Sequence, residues 1–397
     1  MDAHSFGIER LSNFQAAMRE NGLDAALVLK PQNVCYLSGF NPMIQSHPAV
    51  VILPARGEAV LLLHALRYRH AEEEAFLRNF RVYGTWGQYG KAAPQDLMGG
   101  ILAVLNEPAF SGARKWGMEA SFMPVAFYRR WESMLPGAGF TDVDSLFSRA
   151  RMVKHPDEIE LIQKAAWIAD RGMEAALETV RLGASEIEVS VRCMTAMQEA
   201  WKDRYPDLEA VDFGTNEGGV LNALWAYCLS GPRMNFMCDS PKSRRFENGD
   251  LVLIIIWTAL NGYHAENERT VLVGQPHPMQ EKAFRTVLEA RETASLEIRP
   301  GNPIASVYDE AAKVMTRNGF GDVLPGRVGH GIGLGAHEAP SLDKKTTQAF
   351  QEGIVLSFEP ALRIGELGGV QHSDTVVITD KGFRYLTHTD RGFLRAS

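Results

Sequence analysis

Two histidines stand among glycines in the segment Val328 to Pro340, which reads VGHGIGLGAHEAP and places His330 and His337 in it. Glycine lets a backbone approach a bound molecule closely, and an imidazole changes charge near neutral pH, so such a segment can supply a metal ligand, an acid or a base. A glycine-rich turn with surface histidines is the competing reading. Three further polar islands are GYHAENERT (Gly262 to Thr270), LSFEP (Leu356 to Pro360) and GVQHSDT (Gly369 to Thr375). Each sits inside or at the end of an apolar, strand-like run, where a charged side chain is costly unless it is paired, hydrogen-bonded or ligated. Glu359, between Phe358 and Pro360, is the clearest case. Either it belongs to a reactive site or an arginine such as Arg269 neutralises it.

The elements that must carry these islands follow from periodicity. Up to about residue 150, helical spacing over Glu9 to Asn21 alternates with short apolar runs at Ala25 to Leu29, Val50 to Leu53 and Ala59 to Leu63, the pattern of a self-contained α/β unit. A turn-rich basic stretch, SRARMVKHPDE, leads into a long helix with Ile159, Ile162, Ala166 and Met173 on one face. Helices dominate to about Asp203. Gly249-Asp250 then turns the chain into the continuous apolar run LVLIIIW, from Leu251 to Trp257. The segments Leu182 to Ser185 and Pro300 to Pro303 open helices in a faint internal echo.

With 397 residues, 45% of them hydrophobic, the chain is long enough for two domains with substantial cores. Its net charge of -7 disfavours nucleic acid and anionic lipid as partners. Four cysteines, Cys35, Cys193, Cys228 and Cys238, form no metal-type pair and no disulfide framework. The amphipathic N-terminal stretch lacks the apolar core of a signal peptide, and no apolar run approaches the roughly 20 residues needed to span a bilayer. A cytoplasmic protein without membrane association is expected.

The ordered motifs around Ser230-Gly231, GYHAENERT, GHGIGLGAHEAP, LSFEP and GVQHSDT together resemble the pita-bread family, which includes methionine aminopeptidase, aminopeptidase P, prolidase, creatinase and ectoine hydrolase. The resemblance covers most of the chain. It implies an α/β (α+β) fold with a creatinase-like N-terminal domain over 1–150 and a pita-bread catalytic domain over 151–397, the latter built from two related halves, and a homodimer.

The family's peptidases hold two divalent ions with five side chains. Carried onto this sequence, those positions are Ile255, Glu266, His330, Glu359 and Ser373. Isoleucine cannot ligate, and a neutral serine is a poor substitute for a bridging carboxylate. What remains allows one ion on Glu266, His330 and Glu359, or a metal-free site in which these side chains meet substrate directly. The Glu-Arg-Thr of Glu268, Arg269 and Thr270 resembles creatinase, whose corresponding glutamates grip a guanidinium. That resemblance implies that Glu268 and Glu359, with Glu266, bind a cationic group here. Trp257 is a candidate wall, and Gln45 and His47 fall near residues that a neighbouring creatinase subunit contributes. Where creatinase has its catalytic histidine this chain has Cys238, so His330, His337, Glu359 and Cys238 become the candidate catalytic groups.

The expectation is therefore a metal-independent, creatinase-like hydrolase of an amidine, guanidino or amide C–N bond in a small cationic or zwitterionic metabolite, without a cofactor. The alternatives are a peptidase of Xaa-Pro type or an osmolyte lyase using one divalent metal, and a non-catalytic peptide-binding domain.

Overall fold

The computed structural model describes residues 3–43, 45–213, 223–236 and 238–397. The chain divides into two compact units, one made mainly of Met1–Arg151 and the other running from Met152 to the C-terminus apart from a short excursion.

The N-terminal unit is a six-stranded mixed sheet. In chain order its strands are β1 (Ala25–Val28), β2 (Val50–Pro54), β3 (Val60–His64), β4 (Phe80–Tyr83), β5 (Lys115–Met118) and β6 (Gly139–Asp142), and in space they lie β4-β3-β2-β1-β5-β6. The central strands β1 and β2 are buried along their whole length, which is why they read as short continuous apolar runs. Helix α1 (Ala3–Glu20) precedes the sheet.

The second unit begins with two helices whose starts are written in local sequence. Helix α2 (Pro156–Thr179) opens with His155 as its cap, Pro156 in its first turn and Glu158 reaching back to the cap backbone. Helix α3 (Glu186–Arg204) opens the same way on Ser185 and Glu188. Ile162, Ala166 and Met173 are buried as the helical spacing requires, while Ile159 is half-buried. Strands β7 (Leu224–Ser230), β8 (Leu251–Leu260) and β9 (Tyr263–Val273) follow. A second helical pair, α4 (Pro278–Ser295) and α5 (Ala305–Met315), is again followed by strands: β10 (Gly329–Gly331), β11 (Glu338–Ser341), β12 (Val355–Phe358), β13 (Ala361–Arg363), β14 (Gly369–Gln371), β15 (Ser373–Thr379) and β16 (Gly382–Tyr385). The helix-helix-strand order thus occurs twice, and the two echo segments each lie just before the second helix of a pair.

One large sheet runs β11-β10-β12-β15-β9-β8-β7, and α4 and α5 contribute Phe284, Val287, Val307 and Val314 to the core that includes Leu251, Leu253 and Ile255 of β8. The antiparallel register is what builds the site. Ile255 lies opposite Glu268 and Trp257 opposite Glu266, Glu268 lies opposite Ser373, and Ser357 lies opposite His330. Because side chains alternate along a strand, the i, i+2 pairs Glu266/Glu268 and Ile255/Trp257 each share a face. Among the described residues no helix is long and apolar enough to cross a membrane.

Beneath this face Asp374 is completely buried and bound by three arginines. Its Oδ1 accepts from Arg269 Nη2 at 2.8 Å and from Thr387 Oγ1 at 2.8 Å, while Oδ2 meets Arg291 Nη2 and lies 3.2 Å from Arg391 Nε. Burial opposes the charge, yet Arg269, Arg291 and Arg391 hold the carboxyl down at about 2. Such a depressed carboxyl adds stability above its unfolded value of about 4, and that contribution is lost as pH falls from there towards 2. Asp374→Asn leaves buried guanidiniums without their counter-charge and is expected to lower unfolding free energy by about 3–5 kcal/mol at pH 7. Urea denaturation followed by circular dichroism measures it, and a loss below 1 kcal/mol contradicts this account.

Candidate active site

The site grows from Glu266 on β9, a carboxylate with no solvent exposure. Its Oε1 accepts hydrogen bonds from Ser357 Oγ at 2.5 Å and Ser373 Oγ at 2.7 Å, and the two hydroxyls lie 2.6 Å apart. Its backbone N–H donates to Thr375 Oγ1 at 2.8 Å. The other oxygen, Oε2, has no hydrogen-bond partner and lies 3.5 Å from Nε2 of His330, which is likewise unpartnered. The same Nε2 lies 3.4 Å from Oε1 of Glu359.

The tautomer of His330 gives these contacts meaning. Its Nδ1 lies 3.0 Å from the Gly331 carbonyl, which can only accept, so Nδ1 carries hydrogen and the neutral ring turns the Nε2 lone pair toward two carboxylates. Three electron-rich atoms aimed at one buried point require a proton or a cation between them. Burial disfavours a charged His330, but Glu266 and Glu359 outweigh it and raise its pKa. One donor atom from each of Glu266, His330 and Glu359 lies within 4.8 Å of the others, a set that fits one divalent ion. It does not fit two, since Ile255 presents an apolar side chain and the Ser373 hydroxyl is committed to Glu266 and Ser357.

A cavity of about 550 Å³ opens beside this cluster, lined by Cys238, Ile255, Trp257, Glu268, His337 and Glu359 together with Arg327, Arg363 and Gln371. The His337 ring centroid is 4.2 Å from that of His330 and 5.2 Å from Trp257. Burial and the neighbouring His330 charge push its pKa down to about 4. Burial and the Glu266 charge push Glu359 up to about 7. Burial and the charges of Glu266 and Glu359 carry Glu268 well above the ordinary carboxylate range. Cys238 lies at the cavity, but burial followed by the charge of Glu268 raises its pKa, which keeps it a thiol rather than a thiolate.

Gln371 ties the acids together. Its Nε2 donates to Glu268 Oε2 at 2.6 Å and more weakly to Glu359 Oε2 at 3.3 Å, while its Oε1 accepts from Arg363 Nη2 at 2.5 Å. The β13–β14 hairpin sets Arg363 opposite Gly369 and so beside Gln371. Arg269, a possible partner for Glu359 from sequence, is instead bound to Asp374, and the arginine in contact with Glu359 Oε1 is Arg327, at 3.5 Å.

The loop that delivers His337 is fastened from below. Lys154, whose side chain is only 1% exposed, lies 3.3 Å from Glu338 Oε2, and Glu338 Oε1 accepts from Gly335 N at 2.6 Å. Lys154 in turn is held by its backbone N–H to Gly353 O at 2.9 Å. Gly331 packs so closely on the Ala339 carbonyl that a Cβ would come within 2.1 Å of it, which explains one glycine of the motif.

Sequence reasoning therefore named the acids, the histidines, Trp257 and Cys238, and the structure brings these together. Gln45 and His47 lie in the N-terminal unit, where the His47 ring is 4.4 Å from that of His64 and its Nδ1 is 3.1 Å from Ser46 Oγ. Ser230 is not a site residue, because its hydroxyl and N–H are spent on Glu186 Oε1 at 2.8 and 2.9 Å. Gln371, Ser357, Arg327 and Arg363 were not singled out. The first two stand inside the quoted motifs, and only strand register reveals what they touch.

Residues 160–380 match metallopeptidase family M24, and residues 10–153 match the creatinase/prolidase N-terminal domain. The chain belongs to metallopeptidase family M24. An Xaa-Pro dipeptidase of Pyrococcus furiosus is 30% identical over 97% of this chain and 99% of its own length. The crystal structure of a prolidase from Pyrococcus horikoshii OT3 superposes with a TM-score of 0.82 at 27% identity, over 97% of this chain and 100% of that one. An Xaa-Pro dipeptidase from Bacillus anthracis, at 22% identity, shares the fold with the same TM-score of 0.82, over 98% of this chain and 99% of that one. The M24 fold is thus the pita-bread architecture that the motifs indicated.

The comparisons also correct the reading of activity. A metal-independent, creatinase-like hydrolase of a small non-peptide metabolite is overturned by these relatives, which are Xaa-Pro dipeptidases along nearly the entire chain. The expectation of no cofactor is not supported either, since the family is one of metallopeptidases and the three converging donors fit an ion. The loss of two ligand positions leaves three donors that still converge on one point. His337 is expected to stay neutral from pH 8 to about 5.5 and to protonate near 4, as its depressed value requires. Imidazole NMR titration, assigned with His337→Gln, checks this, and a midpoint above 6 contradicts it.

Proposed function

We propose that this chain hydrolyses the peptide bond of Xaa-Pro dipeptides at a site holding one divalent ion on Glu266, His330 and Glu359. The observation that carries the reading is the inward aim of Glu266 Oε2 and His330 Nε2, both buried and without hydrogen-bond partners, beside Glu359. Full-length similarity to Xaa-Pro dipeptidases supports the substrate class. A dipeptide is itself a small zwitterion, in keeping with an acidic cavity that also holds arginines.

An ion held there supplies Lewis-acid polarisation of the scissile carbonyl and a bound water of lowered pKa. The side chains do the rest. Glu359, which would hold the ion through Oε1, presents Oε2 to take a proton from the attacking water and return it to the departing proline nitrogen. His337, neutral at working pH, donates its ring N–H to the oxygen on which charge develops. Glu268 accepts the substrate's ammonium, whose charge draws this buried carboxyl back to its ionised form, and Gln371 ties it to Glu359. Trp257 and Ile255 form the apolar wall against which a proline ring packs. Cys238 contributes a thiol to the wall and no nucleophile. The reading includes a catalytic domain over 151–397, a creatinase-like domain over 1–150, and a homodimer in which Gln45 and His47 serve the neighbouring subunit.

Purified protein supplied with Mn²⁺ is expected to cleave Ala-Pro and to bind close to one ion per chain by isothermal titration and elemental analysis. Chelation is expected to abolish cleavage. Glu266→Gln and His330→Ala are each expected to lower kcat/KM by about a hundredfold or more, as loss of an essential metal-site side chain does, and to weaken ion binding about tenfold or more. Cleavage that survives exhaustive chelation, or two tightly bound ions per chain, contradicts the reading.

A further inference from the structure

We propose that Arg327 binds the carboxylate end of the substrate, at an anion subsite that opens when an ion occupies Glu266, His330 and Glu359. This rests on the dipeptide reading above and assigns that substrate's second charged end.

Two arginines line the cavity, and their surroundings differ. Arg363 is half-buried and committed. Its Nη2 donates to Gln371 Oε1 at 2.5 Å, and Glu268 and Glu359 supply its counter-charge. Arg327 stands in the turn before β10 with its side chain 40% exposed, and among the described residues that side chain makes no hydrogen bond. Its one ion-pair contact runs from Nε to Glu359 Oε1 at 3.5 Å, long for a charge-assisted bond.

That oxygen is the one 3.4 Å from His330 Nε2, facing the place an ion would take. It cannot fully serve both cations. Donating its lone pair to a divalent ion weakens its hold on the guanidinium, and the two positive charges repel each other. Loading the cluster therefore frees a planar donor fork at the cavity, of the geometry that matches a carboxylate. Val323, Leu324 and Pro325, from the same turn, add apolar lining beside it, suited to a carboxylate attached to a proline ring. Ion and substrate carboxylate then bind cooperatively through Glu359, and a peptide lacking a free carboxylate forfeits the contact.

The test uses the full chain loaded with Mn²⁺, with L-proline and L-prolinamide as probes in isothermal titration. Wild type is expected to bind proline about 10- to 100-fold more tightly than prolinamide, the effect of one charged hydrogen-bonded pair. Removal of Mn²⁺ is expected to erase most of that preference. Arg327→Gln is expected to bind both probes alike, and Arg327→Lys, which keeps the charge without the fork, to fall between. In turnover, Arg327→Gln is expected to raise KM for Ala-Pro about tenfold or more with kcat within a few-fold, and to leave KM for Ala-Pro amide unchanged. Proline affinity equal in wild type and Arg327→Gln overturns the assignment, as does a proline preference that persists without the ion. If wild type still cleaves Ala-Pro in either case, the dipeptide reading stands without the subsite. Failure of wild type both to cleave Ala-Pro and to bind proline removes both.

Discussion

A single buried carboxylate fixes the platform on which the reactive groups stand. Asp374 joins Arg269 of β9, Arg291 of α4 and Arg391 of the C-terminal segment, and it lies opposite Asn267 and Phe358 in the sheet. The guanidiniums of Arg269 and Arg291 cannot be dehydrated without a counter-charge, and one carboxylate inside apolar β-structure cannot persist without donors. Each therefore holds the other in place. The register that results puts the neighbouring Ser373 against Glu266, so that the cavity face inherits its order from an ion cluster on the opposite face. A slip of one residue would turn Ser373 away from Glu266 and aim Asp374 into the cavity.

On the cavity side the problem is reversed. Glu266, Glu268 and Glu359 crowd a low-dielectric space, where Glu266 raises the cost of ionising the other two and Glu359 adds to that of Glu268. The structure distributes this load unequally. Glu266 is steadied by two serine hydroxyls and the contact with His330, Glu268 is driven toward its neutral form, and Glu359 is left near the midpoint. Three chemically similar side chains thus acquire three different protonation behaviours, which is what acid and base chemistry at one pH needs.

Much of this was legible in sequence. Charged residues within apolar runs are conspicuous because the interior tolerates them only for a reason, so Glu266, Glu268, Glu359 and the paired histidines could be named, as could the fold. What hid was partnership across the sheet. Ser357 and Glu266 are 91 residues apart, and Gln371 and Glu268 are 103 apart. Their contacts arise from register, which no local pattern encodes. Arg327 and Arg363 carry no local signal for the same reason. Absent ligand positions are visible in sequence, while the aim of the remaining ones is not.

The fastening of the His337 loop to Lys154 carries a consequence for where the second compact unit begins. The match to the metallopeptidase family starts at residue 160, yet Lys154 and the helix cap His155 lie before it. The few residues from Met152 to His155 look like a connector between domains, but they are the foot on which a reactive loop rests. A fragment cut at the homology boundary would keep every ionisable group of the cavity and lose the anchor that aims one of them, so the compact unit is longer than the matched one.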